Sequence, residues 1–291
     1  MSLDLIQHRL AAYDCRSLIE EDYALREITQ EVVLSSLGRS DFFEKAGFQG
    51  GSCLRIFHEL NRFSEDLDFA LTQREDSFSL SPYLDHLRVE LADFGYDVEV
   101  QDKSKPGLAV QKAFVKDEGL SKALTLSFRP PNGPSKKLRV KIEVDTRPPS
   151  GASYETPFLS YPAETSIRVF DLPSLFAGKI HALLCREYIK GRDWYDFLWY
   201  TDQSISINHD LLSASLNQQG PWQGQISETD DHWVVDELGQ KIRTIDWSKA
   251  RRDVEKFLKP EEQAALELWV ADYFSERCAR IPQAPSSDAA G

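Results

Sequence analysis

The 291-residue sequence predicts an α+β fold, a mixed sheet flanked by helices with a mainly helical C-terminal part. Three observations carry that prediction. Apolar residues recur at helical spacing near the start of the chain and again from Arg192 onward. Between these stretches lie short segments that alternate with period two. Clusters of Gly and Pro punctuate the alternating segments as turns do. The organisation that follows is N-terminal helices over 1–40, an α+β domain over 41–170, a helical domain over 171–281 and a disordered tail over 282–291.

In order along the chain, Leu18, Ile19, Leu25, Ile28, Val32, Val33 and Leu37 fall near a 3.6-residue period with charges between them, predicting helices. A short helix through Phe42 to Ala46 leads into a turn. From Phe48 the chain passes Gly50-Gly51 and enters a helix carrying Leu54, Arg55, Ile56, Phe57 and Leu60, and Asp66 to Leu71 then alternates as a strand. Residues 81–95 read as an amphipathic helix and Tyr96 to Val100 as the strand after it. Three β-rich runs follow, Leu108 to Lys116, Ala123 to Arg129 and Leu138 to Asp145, joined by turns such as Arg129 to Pro134; a hairpin is their simplest arrangement. A strand at Ile167 to Phe170 gives way to a helix that starts on Asp171 as N-cap, with Pro173 in its first turn. Gly220 to Gly239 reads as a loop or small hairpin.

Composition narrows the function classes. With 41% hydrophobic and 28% charged residues and no run near the roughly 20 apolar residues that span a bilayer, the chain is not predicted to cross a membrane. Its first residues lack the basic and apolar blocks of a secretory signal, so the expected compartment is the cytoplasm. Cys15, Cys53, Cys185 and Cys278 have no paired spacing and are expected to be small buried hydrophobes. The histidines show no triad or zinc spacing. A net charge of −13 argues against nucleic acid as a partner, yet residues 101–147 carry 11 basic against 5 acidic groups, whereas residues 1–100 carry 9 against 20. Lys136, Lys137, Arg139 and Lys141 therefore form either solvated strand and turn positions or a phosphate-binding face.

The chemistry concentrates near residue 60. Asp66 and Asp68 stand at i and i+2 on a strand, so both carboxylates face one side and can hold Mg²⁺, with Leu67 turned into the core. Gly50 and Gly51 remove side chains where backbone amides must approach a phosphate, and Ser52 offers a hydroxyl and an N-cap to the next helix. Each motif is common by chance; the succession of glycine turn, helix and acidic strand within 20 residues is not, and it predicts a metal-dependent nucleotide-binding site.

Phe48-Gln49-Gly50-Gly51-Ser52-Cys53-Leu54-Arg55 followed by Arg62-Phe63-Ser64-Glu65-Asp66-Leu67-Asp68-Phe69 resembles the signature of the AbiEii/AbiGii-type toxins, nucleotidyltransferases of the DNA polymerase β-like superfamily. Lys179-Ile180-His181-Ala182-Leu183 and Arg192-Asp193-Trp194-Tyr195-Asp196 resemble that family's later helical motif, so the likeness spans roughly 45–200. At the position before the glycine pair, where the family often has lysine, this chain has Gln49.

The resemblance implies a nucleotidyltransferase-like sheet and a toxin of a toxin–antitoxin or phage-defence system, with a cognate antitoxin. It implies that Asp66 and Asp68 bind Mg²⁺, or Mn²⁺, and that a third carboxylate, Glu143 or Asp145, joins them. Lys141, Glu143 and Asp145 share one strand face by period two. Gly50, Gly51, Ser52 and Arg55 would contact the nucleoside triphosphate, with Lys179 neutralising its charge and Asp193 or Asp196, which are i and i+3 on a helix, orienting that lysine or the nucleotide. The implied reaction is a two-metal in-line displacement onto an acceptor hydroxyl, with the tRNA 3′ end as the expected acceptor. A protein hydroxyl, on the antitoxin or on the chain itself, is an alternative acceptor; a non-catalytic nucleotide- or antitoxin-binding module is another reading.

Overall fold

A computed structural model describes residues 2–104, 108–117, 124, 126–128 and 138–281 of the chain. The chain divides into two units, Met1–Pro148 with Tyr154–Val169, and Pro149–Ser153 with Phe170–Gly291.

The first unit begins with helix α1 (Ser2–Ala11) and the 21-residue α2 (Leu18–Gly38), which Ser17 caps through the Glu20 amide. α2 is covered on nearly all sides, including its polar positions, rather than along one stripe. Several of these buried polar groups are paired with neighbours. Arg9 pairs with Glu31 at 2.5 Å, Arg55 with Glu27 at 2.8 Å, and the hydroxyls of Thr29 and Ser35 meet those of Tyr96 and Thr165. The charges between the apolar residues of α2 thus tie it to neighbouring segments.

After the single turn α3 (Phe42–Lys45) comes β1 (Ala46–Gln49), then α4 (Gly50–Phe57) and β2 (Asp66–Leu71), the strand bounds the alternation predicts. α5 (Ser81–Asp93) leads to β3 (Val98–Asp102), and β4 (Val110–Asp117) pairs antiparallel with β5 (Leu138–Asp145) in the expected hairpin sense. Short strands β6 (Tyr154–Glu155), β7 (Phe158–Leu159), β8 (Thr165–Ser166) and β9 (Val169–Phe170) follow. Seven strands form one mixed sheet in the order β3-β4-β5-β2-β1-β9-β6, with β2–β5 and β1–β9 parallel; β7 and β8 pair separately.

The strand predicted over Ala123 to Arg129 is not seen among its described residues. Leu124 and residues 126–128 carry no strand, because the amides of Ser127 and Phe128 donate to the Glu21 carboxylate instead of to a ladder. Ala123, Thr125, Arg129, the turn through Pro134, Lys136, Lys137 and the tail over 282–291 lie outside the described residues.

The second unit is helical. Asp171 caps α6 (Leu172–Cys185) by accepting from the Ser174 amide, as expected, and α7 (Gly191–Asp202), α8 (His209–Gln218), α9 (Asp231–Thr244) and α10 (Trp247–Glu255) follow. α11 (Pro260–Gln263), a 3₁₀ turn and α12 (Ala271–Cys278) complete it. Aromatic rings fill its core, with Trp247 stacked on Phe274 at 4.0 Å and Phe176 on Tyr200 at 4.4 Å. The expectation of a loop or hairpin over 220–239 is corrected here. From Asp231 the chain is helix, capped by Asp230, with Val234, Leu238 and Ile242 buried at a spacing of four.

Among the described residues no helix is long and apolar enough to cross a membrane. In the first unit the sheet's covered face holds Leu67, Phe69, Ile142 and Val144, all buried, and Phe69 meets Phe42 and Phe48 at 5.0 and 5.2 Å. We expect Phe69→Ala to lower stability by about 3–5 kcal/mol through the cavity it leaves, measured by urea denaturation. A cost under about 1 kcal/mol would contradict this packing.

Candidate active site

In the first unit the strand register assembles the acidic residues. Asp66 lies beside Lys141 and Asp68 beside Glu143 across the parallel β2–β5 pair, and Glu143 in turn lies opposite Lys112 on β4. Gln49 pairs with Asp68 from the other side. Residues opposite one another share a face, so one row runs Lys112, Glu143, Asp68, Gln49 and the next runs Phe114, Lys141, Asp66. All of these side chains are half-buried or exposed, whereas Leu67 and Ile142 on the opposite face are fully buried.

The glycine turn abuts this row. Gly50 has φ +81°, and a Cβ there would lie 2.7 Å from Asp68 Oδ2, so both conformation and space demand glycine. A Cβ on Gly51 would fall 2.5 Å from the Arg62 guanidinium. The backbone of the turn is thereby brought against the Asp68 carboxylate with no side chain between.

Two residues expected to contact nucleotide are committed elsewhere. The buried Ser52 hydroxyl donates to the carbonyl of Asp66, and the N-cap of α4 is Gln49 rather than Ser52. Arg55 bonds Glu27 through Nε and the carbonyls of Leu60 and Asn61 through Nη1 at 2.8 and 2.9 Å, with its guanidinium over Phe63. Both hold the segment entering β2, which Arg26 also grips through Glu65 at 2.5 Å.

Glu143 and Asp145 differ sharply. Each Glu143 oxygen takes an ammonium, Lys112 at 2.7 Å and Lys141 at 2.5 Å. Burial opposes its charge, but the two lysines hold the carboxyl below the usual range. Lys141 is also within the fields of Asp66 and Asp68; despite desolvation, its bond to Glu143 and these carboxylates raise its pKa. Asp145 is one step farther along, beside Ala70, and burial pushes its carboxyl up against the opposing bond from the Arg147 amide. The sequence placed Lys141 on this face, as one of four cations of a candidate phosphate-binding patch, but gave Lys112 no role; only the β4–β5 register shows Lys112 opposite Glu143.

The donor set can be tested against a divalent cation. Asp66 and Asp68 offer the hard oxygen donors that Mg²⁺ takes. Glu143 does not complete a triad, since both its oxygens are engaged, and among the described residues no group of three or more His, Cys, Asp and Glu converges as a metal site. Two carboxylates fit; the third does not.

In the second unit, Lys179 on α6 reaches Asp193 at 2.7 Å and Asp196 at 2.8 Å on α7, and Arg186 bonds the other Asp193 oxygen. Asp196 is fully buried and Asp193 nearly so. Desolvation works against the Asp193 charge, but Lys179, Lys190 and Arg186 outweigh it and hold the carboxyl well below the usual range. The i, i+3 spacing thus presents both carboxylates to one lysine. Asp193 does not cap α7, whose N-cap is Lys190.

A family model described as nucleotidyl transferase AbiEii toxin, type IV TA system, matches residues 32–273. No curated protein sequence matches the chain. Among solved structures, the nucleotidyltransferase toxin MenT4 of Mycobacterium tuberculosis H37Rv is similar at 17% identity and TM-score 0.55, covering 99% of this chain and 92% of that one. JHP933 of Helicobacter pylori is similar at 14% identity and TM-score 0.49, covering 89% of this chain and 94% of that one. The likeness to MenT4 shows a shared fold.

Two outcomes are expected. Gly50→Ala places a methyl on the Asp68 carboxylate at a backbone angle alanine avoids, and should cost about 1–3 kcal/mol in a denaturant titration. Lys179→Met leaves Asp193 and Asp196 buried together and should cost about 3–5 kcal/mol at pH 7. Because the folded-state pKa of Asp193 is depressed, its stabilisation is present above the unfolded value near ~3.9 and is lost as pH falls through the folded value. The wild type therefore weakens on acidification while the Lys179→Met deficit shrinks. A deficit that does not shrink as pH falls below about 4 would refute this account.

Proposed function

Since the chain belongs to the AbiEii nucleotidyl transferase toxin family of type IV toxin–antitoxin systems, we propose that it transfers a nucleotide from a nucleoside triphosphate to the tRNA 3′ end, with Mg²⁺ as cofactor. The observation that carries this reading is the packing of the Gly50 turn so close to the Asp68 carboxylate that no Cβ fits between them, in a strand that also presents Asp66. Phosphate oxygens need backbone amides and cationic charge at one place, and a glycine turn leading into a helix beside a carboxylate pair meets that need.

Asp66 and Asp68 would hold the ion, which when bound neutralises phosphate charge and favours pyrophosphate as the leaving group. The acceptor hydroxyl oxygen attacks the α-phosphorus, forming the new ester bond as the bond to pyrophosphate breaks. Ser52 and Arg55 serve by fixing the strand entry, so that the aspartates do not reorganise during the reaction. Glu143 acts through the Lys141 ammonium it positions beside Asp66; Asp145, one step away, has no such partner row. The assignment of Lys179, Asp193 and Asp196 to the reaction rests on the family resemblance, and their ion pairs keep that ammonium in one orientation.

For the acceptor, the support is the basic run over 101–147. Lys112, Lys116, Arg139 and Lys141 alternate onto the face that carries Asp66 and Asp68, and Arg139 lies 3.8 Å over Phe114 there. Cations interleaved with an aromatic suit single-stranded RNA. The family also implies an antitoxin, and we place the protein in the cytoplasm with its RNA substrate.

With Mg²⁺, total tRNA and labelled nucleoside triphosphates, the purified protein should label tRNA, and Asp68→Ala should abolish it. Incorporation that survives Asp68→Ala, or label found on protein only, overturns the reading. Glu143→Gln should lower transfer by about 10–100-fold without abolishing it, as expected for a group acting through another.

A further inference from the structure

The second unit contains a cavity of about 150 Å³ whose wall includes the Asp193 carboxylate and several basic side chains. Arg186, Lys190 and Lys241 line it, with Tyr188 and Glu187 also contributing. Most of these charges are spoken for. Arg186 bonds Asp193, and Lys241 donates to the carbonyls of Arg186 and Leu184 at 3.1 and 3.4 Å, closing the C-terminal end of α6. Glu187 is exposed. Lys190 differs. Among the described residues its ammonium makes no hydrogen bond or ion pair, although it is half-buried in the cavity wall.

A desolvated ammonium without a hydrogen bond is costly, and although the Asp193 carboxylate favours its charge, Lys179, Arg192 and Arg186 oppose it. Burial, countered by Asp193 and reinforced by these cations, lowers its pKa. An anion entering the cavity would relieve that repulsion and satisfy the donors at once. Tyr188, one of the exposed large side chains, belongs to the same wall, with the Arg186 guanidinium 5.3 Å over its ring. Its other face is open to stacking by a planar group.

We propose that this cavity binds the phosphate of a nucleotide, with Lys190 as the principal charge and Tyr188 stacking on the adjoining base. The identification of the anion as a nucleotide rests on the nucleotidyl-transfer reading; the existence of an anion site does not. The same chemistry is presented by a free nucleotide and by a residue of an RNA strand, and separate probes distinguish them.

Binding is measured on the full chain by calorimetry in EDTA, which removes any contribution of Asp66 and Asp68 through a metal. Inorganic pyrophosphate, AMP and a single-stranded oligoribonucleotide are the probes. Lys190→Gln should weaken pyrophosphate at least tenfold, Lys190→Arg should restore it, and raised salt should weaken it further. Tyr188→Ala should weaken AMP or the oligonucleotide about tenfold while leaving pyrophosphate unchanged. Tyr188-dependent binding of AMP assigns the pocket to a free nucleotide, and of the oligonucleotide alone to the RNA strand. Binding independent of Lys190 with every probe overturns the proposal. Lys190-dependent binding of pyrophosphate by a wild type that transfers no nucleotide in Mg²⁺ refutes the nucleotidyl-transfer reading and leaves the anion site standing.

Discussion

The parallel pairing of β2 with β5 is the constraint on which the first unit's chemistry depends. Register in a half-buried strand is set by which residues can enter the core, and Leu67, Phe69, Ile142 and Val144 leave one choice. A slip of β2 by one residue would bury Asp66 and Asp68 and expose Leu67 and Phe69. The hydrophobic effect therefore positions four charged groups to within one strand spacing, without any of them contributing to the choice. What remains is to keep the strand entry still, and that falls to Ser52, Arg55 and Arg26, whose bonds end on backbone or on residues next to β2.

The second unit solves a different problem. Two carboxylates buried on one helix would repel strongly, and α7 is stable because α6 supplies Lys179 between them and Arg186 beside them. A lysine held by two carboxylates has lost most of its freedom. That suits a preorganised charge, and it also makes loss of activity on mutating Lys179 ambiguous by itself. Stability and its pH dependence separate the two effects, because an orphaned carboxylate is relieved by a proton and a missing catalytic ammonium is not.

How much was legible in sequence follows from the range of each interaction. β2 was readable to the residue because alternation is local, and Asp171 as an N-cap because capping reaches only three residues. The helix from Asp231 was hidden by the glycines at 220, 224 and 239, though Val234, Leu238 and Ile242 carried the helical spacing. The strand expected near 123–129 had the right composition, but a carboxylate about a hundred residues away in sequence, Glu21, takes its amides. At the candidate site the same division holds. The shared face of Asp66 and Asp68 is read from their spacing, whereas the bonds of Ser52 and Arg55 end on carbonyls they meet only after folding. Lys112 could not be placed opposite Glu143 without the β4–β5 register.

The acidity of the chain and an RNA substrate are compatible once distance is considered. Charges farther apart than about 8 Å are largely screened at physiological ionic strength, so the net charge of −13 has little reach into a local face. What a strand of RNA would meet is the face of β4 and β5 that carries Lys112, Lys116, Arg139 and Lys141. Acidic groups on this face are not merely tolerated. Glu143 draws Lys112 and Lys141 toward the aspartates, so that positive charge is concentrated where phosphate must be bound and thins out elsewhere. A uniformly basic protein would bind RNA anywhere along its surface; on the proposed reading, an acidic one with a local basic face would bind it at that face, next to Asp66 and Asp68.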